Sequence, residues 1–82
     1  MLKVDWLISL SLYYLGCSKK VLGQRAEALQ DLLACQKITE DLYYTMMHLR
    51  EAVYWELSSF YAEQNNYKKA LDYSILVLRS IN

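Results

Sequence analysis

The residue types that could do chemistry in this chain are two cysteines and one histidine. Cys17, Cys35 and His48 would have to converge with a fourth ligand to bind zinc, and their spacing is not that of a zinc motif. His48 has only Glu51 and Glu56 near it at helical spacing. The sequence contains neither a nucleophile–base arrangement nor a glycine-rich phosphate loop. We therefore expect no catalytic residue, no metal site, no cofactor and no enzyme activity.

The LGC triplet at residues 15–17 follows an uncharged run and looks like the end of a lipoprotein signal peptide. Two features argue against that interpretation. Asp5 lies where such a signal is purely basic, and Tyr13 and Tyr14 lie where small or aliphatic residues precede the cleavage site. The uncharged run, residues 6–18, is also shorter than the roughly 20 residues of a membrane span. We expect a cytoplasmic chain without a membrane role, and intact mass would decide the exported alternative.

The amino-acid composition limits the fold classes and the classes of binding partner that are consistent with this chain. Nine basic and nine acidic side chains cancel, so no overall field favours nucleic acid or an anionic membrane. Two cysteines are too few for a disulfide framework and fit reduced thiols in the cytosol. The 82 residues are 55% apolar, with two glycines and no proline, and this composition favours helices. We therefore expect residues 1–82 to form a single all-α domain, either a whole protein or a segment of a larger one. The apolar excess indicates that some apolar surface meets a partner.

Hydrophobic periodicity predicts two helices in the first half of the chain. The first, about 4–21, is apolar on nearly all sides and is expected to be covered on more than one face. Gly23 is predicted to be the left-handed residue after it. The second helix, about 24–38, has a predicted inner side formed by Leu29, Leu32, Leu33 and Cys35.

The second half of the chain is predicted to hold a long helix and a shorter one. Residues 39–41 are the weakest stretch for helix, and Thr39 or Asp41 is expected to cap the third helix. That helix, about 42–63, has one apolar stripe made of Leu42, Met46, Leu49, Val53, Leu57 and Phe60. Asn65 is predicted to turn the chain, since asparagine tolerates the left-handed conformation, and a fourth helix begins near Tyr67. The predicted connections between helices are only a few residues long, and short connections make sequential helices antiparallel neighbours.

The two halves repeat each other at a spacing of 42 residues. Leu15-Gly16 precedes Ala28 with Gly23 at the turn between, and Leu57-Ser58 precedes Ala70 with Asn65 at the equivalent turn. We expect two helical hairpins of one internal geometry. In each hairpin the small residue, Gly16 or Ser58, faces an alanine and lets the two helix backbones approach closely.

This pattern resembles the tetratricopeptide repeat, W-x2-L-G-x2-Y followed by A-x3-F and P. The matching places are held by Leu12, Leu15, Gly16, Lys19, Ala28 and Leu32 in one hairpin, and by Tyr54, Leu57, Ser58, Tyr61, Ala70 and Ser74 in the other. Lys19 and Ser74 depart from the pattern, Glu40 and Asn82 stand at the proline places, and the spacing exceeds the usual repeat of about 34 residues. The resemblance implies an α-solenoid fragment with repeats at about 9–39 and 51–82.

The resemblance also implies a binding surface, because the first helix of each repeat lines a concave groove in that family. The corresponding residues here are Tyr13, Cys17, Lys20, Trp55, Ser59, Ala62 and Glu63. Some members of that family bind the terminal carboxylate of a peptide with a clamp rich in lysine and asparagine, and only Lys20 could take part in such a clamp here. The aromatic residues instead favour an apolar peptide or helix as the ligand. Packing within each repeat is the alternative role for these aromatics.

Three functions are consistent with these patterns. The first is a scaffold or adaptor module that binds a partner peptide or helix, or itself. The second is the peptide-sensing or dimerisation segment of a larger bacterial transcriptional regulator. The third is the exported lipoprotein. Because two repeats leave open ends, we expect either a segment of a longer protein or self-association into a homo-oligomer.

Overall fold

The chain is all-helical throughout the part that the structure describes. The computed structural model describes the backbone of residues 2–41 and 47–81 and the side chains of residues 6–41 and 48–79. The four helices are α1 (Leu2–Val21), α2 (Arg25–Asp41), α3 (Met47–Glu63) and α4 (Tyr67–Ile81), and no strand occurs in those ranges. The predicted all-α class and helix number are confirmed. The predicted first turn of the third helix, with Tyr43 and Tyr44, lies outside the described residues.

The helices pack in chain order, α1 against α2, α2 against α3, and α3 against α4. The Ser58 hydroxyl near the end of α3 donates to the carbonyl oxygen of Ala70 near the start of α4, at 2.9 Å. Arg25 at the start of α2 contacts Glu63 at the end of α3. Sequential helices are therefore antiparallel, and α1 and α3 lie side by side in the same direction.

Both hairpin turns use a residue in the left-handed conformation, as the sequence predicts. Gly23 has φ 84° and Asn65 has φ 63°. Each turn is closed by two backbone hydrogen bonds at equivalent places, from Gly23 to Lys20 (3.1 Å) and Gln24 to Lys19 (2.8 Å) in the first hairpin, and from Asn65 to Ala62 (3.0 Å) and Asn66 to Tyr61 (2.9 Å) in the second. These paired bonds are the Schellman arrangement, which satisfies carbonyls left free at a helix end.

The small residues bring the helices of each hairpin into close contact. A Cβ atom on Gly16 would lie 2.8 Å from Cγ of Leu32 and 3.3 Å from the carbonyl oxygen of Ala28. At the equivalent place, Ser58 fits by donating its hydroxyl hydrogen to Ala70. The predicted facing of small residues is therefore confirmed in both hairpins.

A second pair of equivalent contacts shows how Lys19 replaces an aromatic residue. In the second hairpin the rings of Tyr61 and Tyr73 stack with centroids 5.8 Å apart. The residues 42 positions earlier are Lys19 and Asp31, whose charged atoms are 2.9 Å apart. An ion pair thus occupies the place of a ring stack, and the same two helix positions are joined in both hairpins.

The main core lies where the two hairpins meet. Its buried members come from α2, α3 and α4, and they are Leu32, Cys35, Val53, Leu57, Tyr61 and Ala70. Leu12, Leu29 and Leu49 pack against this cluster from its edges. The buried part of the predicted α3 stripe, Val53, Leu57 and Phe60, is confirmed, while Leu42 and Met46 lie outside the described side chains.

Two predictions about α2 are wrong. The helix does not end near Ile38 but runs to Asp41, so Thr39 caps no new helix, while the residues 42–46 that Asp41 would cap lie outside the described ones. Thr39 is fully buried, and its hydroxyl donates to the carbonyl oxygen of Cys35 at 3.0 Å, which satisfies the polar group inside the helix. Leu33, predicted on the inner side, is 38% exposed because it lies off the face that meets α1 and α3.

The expectation that α1 is covered on more than one face is also wrong for much of its surface. Leu7, Leu15 and Val21 are 56%, 49% and 86% exposed, respectively. The reason is topological, since α1 packs extensively on α2 and slightly on α3, and α4 does not reach it. An apolar face of α1 therefore stays open.

Candidate functional site

One face of α1 and one face of α3 line a groove between these parallel helices, which we call the α1/α3 groove. By helical register its two stripes are Trp6, Leu10, Tyr13, Cys17 and Lys20 on α1, and His48, Ala52, Trp55, Ser59 and Ala62 on α3. Trp6 and Trp55 are 48% and 63% exposed. Large aromatic surface is thus presented to solvent along the groove.

The end of the groove near the start of α3 is an apolar cleft. It has a volume of about 370 Å³ and is lined by Trp6, Leu10, Tyr13, Tyr14, His48, Leu49 and Ala52. Binding sites for drug-sized ligands span about 300–1,000 Å³, so this cleft is at the small end of that range. Its size suits one or two side chains of a docked segment.

The opposite end of the groove is ionic. The Lys20 ammonium lies 3.6 Å from a Glu56 carboxylate oxygen and 3.3 Å from one of Glu63. Arg25 at the start of α2 approaches the other oxygen of Glu63 at 2.9 Å. The hydrogen bond from Arg25 and then that from Lys20 lower the pKa of the Glu63 carboxyl. Two acids and two bases are therefore paired, and this end is polar but balanced.

Tyr13 and Cys17 occupy the middle of the groove and stay protonated at neutral pH. Burial, and then the neighbouring Cys17, raise the pKa of Tyr13 to about 12. Burial, and then the Glu56 carboxylate, raise the pKa of the Cys17 thiol above its ordinary value. Because the thiolate is the nucleophilic form, Cys17 is a poor nucleophile at neutral pH. The groove is chemically suited to contact rather than reaction.

Of the seven predicted partner-binding residues, Tyr13 lines the cleft and Cys17 lies near Glu56, whereas Trp55, Ser59 and Ala62 are assigned to the α1/α3 groove by helical register. The structure brings Lys20 and Glu63 into direct contact, and it leaves Tyr13, Cys17, Ser59 and Ala62 half-buried and Trp55 exposed. The prediction from sequence missed the lining residues Trp6, Leu10, Tyr14, His48, Leu49 and Ala52 and the ion-pair partner Glu56. Helical register backwards from Tyr13 and Trp55, by three and four residues, was the signal that would have found most of them.

The two free thiols differ in environment, and this leads to a testable difference in reactivity. Cys35 is fully buried, its thiol donates to the Ser9 carbonyl oxygen at 3.2 Å, and burial raises its pKa to about 12. We expect a thiol-specific reagent at pH 8 to label Cys17 in the folded protein at least tenfold faster than Cys35. Mass spectrometry with Cys17→Ser and Cys35→Ser variants would assign each rate. Equal rates without denaturant would contradict the buried position of Cys35.

Comparison with known proteins returns no match, since no family model, no curated protein and no solved structure is similar to this chain. Among the described helices, none combines the length and hydropathy that a membrane span requires. Within the same residues, no group of three or more His, Cys, Asp or Glu side chains could hold a metal ion.

Proposed function

We propose that this chain is a cytoplasmic, non-enzymatic protein-interaction module of two tetratricopeptide-like hairpins. In this proposal the α1/α3 groove binds a segment of a partner protein. The observation that supports it best is the apolar cleft of about 370 Å³, which is lined by the half-exposed Trp6, with the exposed Trp55 one helical turn beyond the lining residue Ala52 on α3. Aromatic side chains at the centre of a concave surface are the residues that most often dominate binding energy.

The repeat assignment is supported by contacts and not only by residue types. The spacing of 42 residues relates the two left-handed turn residues, the two small-residue contacts and the two pairs at Lys19–Asp31 and Tyr61–Tyr73. A spacing that relates three kinds of contact describes a structural repeat, whose first helices lie side by side and form one surface.

The two ends of the groove indicate what kind of segment fits. The cleft would take apolar side chains, while the balanced ionic end, where Lys20 and Arg25 face Glu56 and Glu63, offers hydrogen bonds without a strong net charge. The proposed ligand is thus an amphipathic helix or extended peptide that is apolar at one end and polar at the other. The regulator hypothesis stays a prediction, since no described residue bears on it.

A peptide selected from a displayed library of amphipathic segments would test this proposal. For such a peptide we expect Trp55→Ala to weaken binding at least tenfold, which corresponds to about 1.4 kcal/mol. Fluorescence anisotropy of the labelled peptide measures the affinity. The matched control is Tyr67→Ala on α4, because Tyr67 is 66% exposed and Trp55 is 63% exposed, but Tyr67 lies outside the groove.

Circular dichroism should show both variants folded, so that a loss of binding is not a loss of structure. Selection of no peptide, or a peptide that binds the Trp55→Ala variant as well as the parent chain, would contradict the groove as the binding site.

A further inference from the structure

The first and last helices each present an open apolar face, and these faces adjoin the α1/α3 groove only at Tyr14. On α4, Tyr67, Leu71 and Leu78 are 66%, 60% and 63% exposed. They follow one another at steps of four and seven residues and form one stripe, which we call the α4 end face. On α1, the residues Leu7, Tyr14, Leu15 and Val21 form the α1 end face, and each is between 49% and 86% exposed.

The chain itself shows what covers the α4 end face in an equivalent helix. The α2 residues 42 positions before Tyr67, Leu71 and Leu78 are Arg25, Leu29 and Gln36. All three contact the core or the second hairpin. Arg25 pairs with Glu63, Leu29 packs against the core cluster, and Gln36 accepts a hydrogen bond from the Tyr73 hydroxyl at 2.9 Å.

The same relation holds in reverse for the α1 end face. The α3 residues 42 positions after Leu7 and Leu15 are Leu49 and Leu57. Leu57 is fully buried and Leu49 packs against the core that α3 shares with α2. Leu7 and Leu15 are exposed because no helix lies against α1 in the way that α2 lies against α3. The two open faces are thus the two halves of an interface that the chain already makes once inside itself.

The residue types on the two open faces also match each other. Inside the chain, the seam between hairpins is ionic, with Lys20 and Arg25 on one side and Glu56 and Glu63 on the other. The residues that would meet at the same seam between two copies are Ala62 and Tyr67 on one side and Tyr14 and Val21 on the other. All four are uncharged, and rings or aliphatic groups make up most of their surface. Where one side of the seam has an uncharged residue in place of a base, the other side has an uncharged residue in place of the acid that would pair with it.

From this correspondence we propose that copies of this chain associate head to tail. The α4 end face of one copy receives the α1 end face of the next, in the arrangement by which α2 receives α3 within a chain. Such a contact is heterologous, so it continues into a ring or an open filament rather than stopping at a symmetric dimer. It shares Tyr14 and Ala62 with the edge of the α1/α3 groove, but the leucines of both end faces lie outside the groove, and the contact does not depend on the groove binding a peptide.

A mixing experiment with two single variants tests the direction of this contact. Leu15→Glu blocks the α1 end face and Leu71→Glu blocks the α4 end face, and both positions are exposed, so folding is checked simply by circular dichroism. We expect the parent chain to form species heavier than 9.7 kDa in multi-angle light scattering, and each variant alone to be monomeric. An equimolar mixture should form a 1:1 complex and no larger species, because each copy keeps one intact face.

A charge-pair variant tests the register. Val21→Glu and Tyr67→Arg each recreate one half of the Glu63–Arg25 pair, and each alone should abolish association. The double variant should restore it, since Glu at position 21 of one copy would meet Arg at position 67 of the next. Salt should weaken association of the double variant but not of the parent chain, because only the former relies on an ion pair.

Three outcomes would overturn the proposal. A parent chain that is monomeric at millimolar concentration would mean that a different protein or a further hairpin covers these faces. A Leu15→Glu variant that still dimerises alone would indicate a symmetric contact between α4 faces. A mixture of the two single variants that stays monomeric would exclude the head-to-tail pairing.

Discussion

We expect Gly16→Leu to lower the free energy of unfolding by about 3 kcal/mol. Even a Cβ atom at this position would lie 2.8 Å from Cγ of the fully buried Leu32 and 3.3 Å from the Ala28 carbonyl oxygen. A leucine side chain cannot fit unless α1 and α2 separate, because the obstruction includes backbone as well as side chain. Urea denaturation followed by circular dichroism measures the change, and the melting temperature should fall by about 4–8 °C per kcal/mol.

Gln30→Leu is the matched control for this substitution. Gln30 lies on the exposed side of α2, so the same new side chain is introduced into a helix of the same hairpin without a close neighbour helix. We expect a change within about 0.5 kcal/mol there. If Gly16→Leu were no more destabilising than Gln30→Leu, the close contact between α1 and α2 would be excluded.

Leu57→Ala is expected to cost about 3 kcal/mol, with a range of roughly 2–5 kcal/mol for truncation of a buried leucine. Leu57 is fully buried in the core where α2, α3 and α4 meet, so its removal leaves a cavity that both hairpins line. The loss should appear as a lower denaturant midpoint with an unchanged slope, since the folded arrangement stays the same.

Leu15→Ala is the internal control for Leu57→Ala. Leu15 has the same residue type at the same place in the repeat, 42 positions earlier, but it is 49% exposed. In dilute solution, where the end faces are free, we expect Leu15→Ala to cost less than about 1 kcal/mol. Equal losses from the two variants would contradict the difference in burial between the first and second hairpins.

Features controlled by a few neighbouring residues could be predicted from the sequence. Gly23 and Asn65 are predicted and observed in the left-handed conformation, because few other residue types adopt it at low cost. The close approach of the helices at Gly16 and Ser58 is likewise predictable, since it needs only a small residue on one helix that faces an alanine on the next. These features depend on local sterics, and the spacing of 42 residues shows each of them twice.

Features controlled by which helices become neighbours could not be predicted in the same way. The sequence of α2 near Thr39 has low helix propensity, yet burial and the hydrogen bond to Cys35 keep the helix intact to Asp41. Arg50 is 2% exposed and donates to the Thr39 carbonyl oxygen at 3.5 Å, so a cation is placed at the carbonyl end of α2. The hydrogen bond to Cys35 is internal to α2, whereas the contact from Arg50 comes from α3 lying against α2, so tertiary packing outweighs the weak local preference.

Only part of the candidate groove could be predicted, because its other residues depend on which helices become neighbours. The resemblance to the tetratricopeptide repeat implied Tyr13, Cys17 and Trp55 as residues of the binding surface. The cleft residue Leu49 becomes identifiable only when α1 and α3 lie side by side, since it is at neither three nor four residues from a predicted site residue.

The sequence by itself determined the helices, the two left-handed turns, the small-residue contacts and the repeat that relates them. Each of these depends on helical periodicity and on sterics within a short stretch of chain. Only the tertiary structure decided which apolar residues are buried. Leu57 and Leu15 have the same type and the same place in the repeat. They differ in burial because α2 and α4 both pack against α3, whereas among the described helices only α2 packs extensively against α1. An apolar pattern shows that a helix face favours burial, and the arrangement of the described helices decides which of these faces a neighbouring helix of the same chain covers.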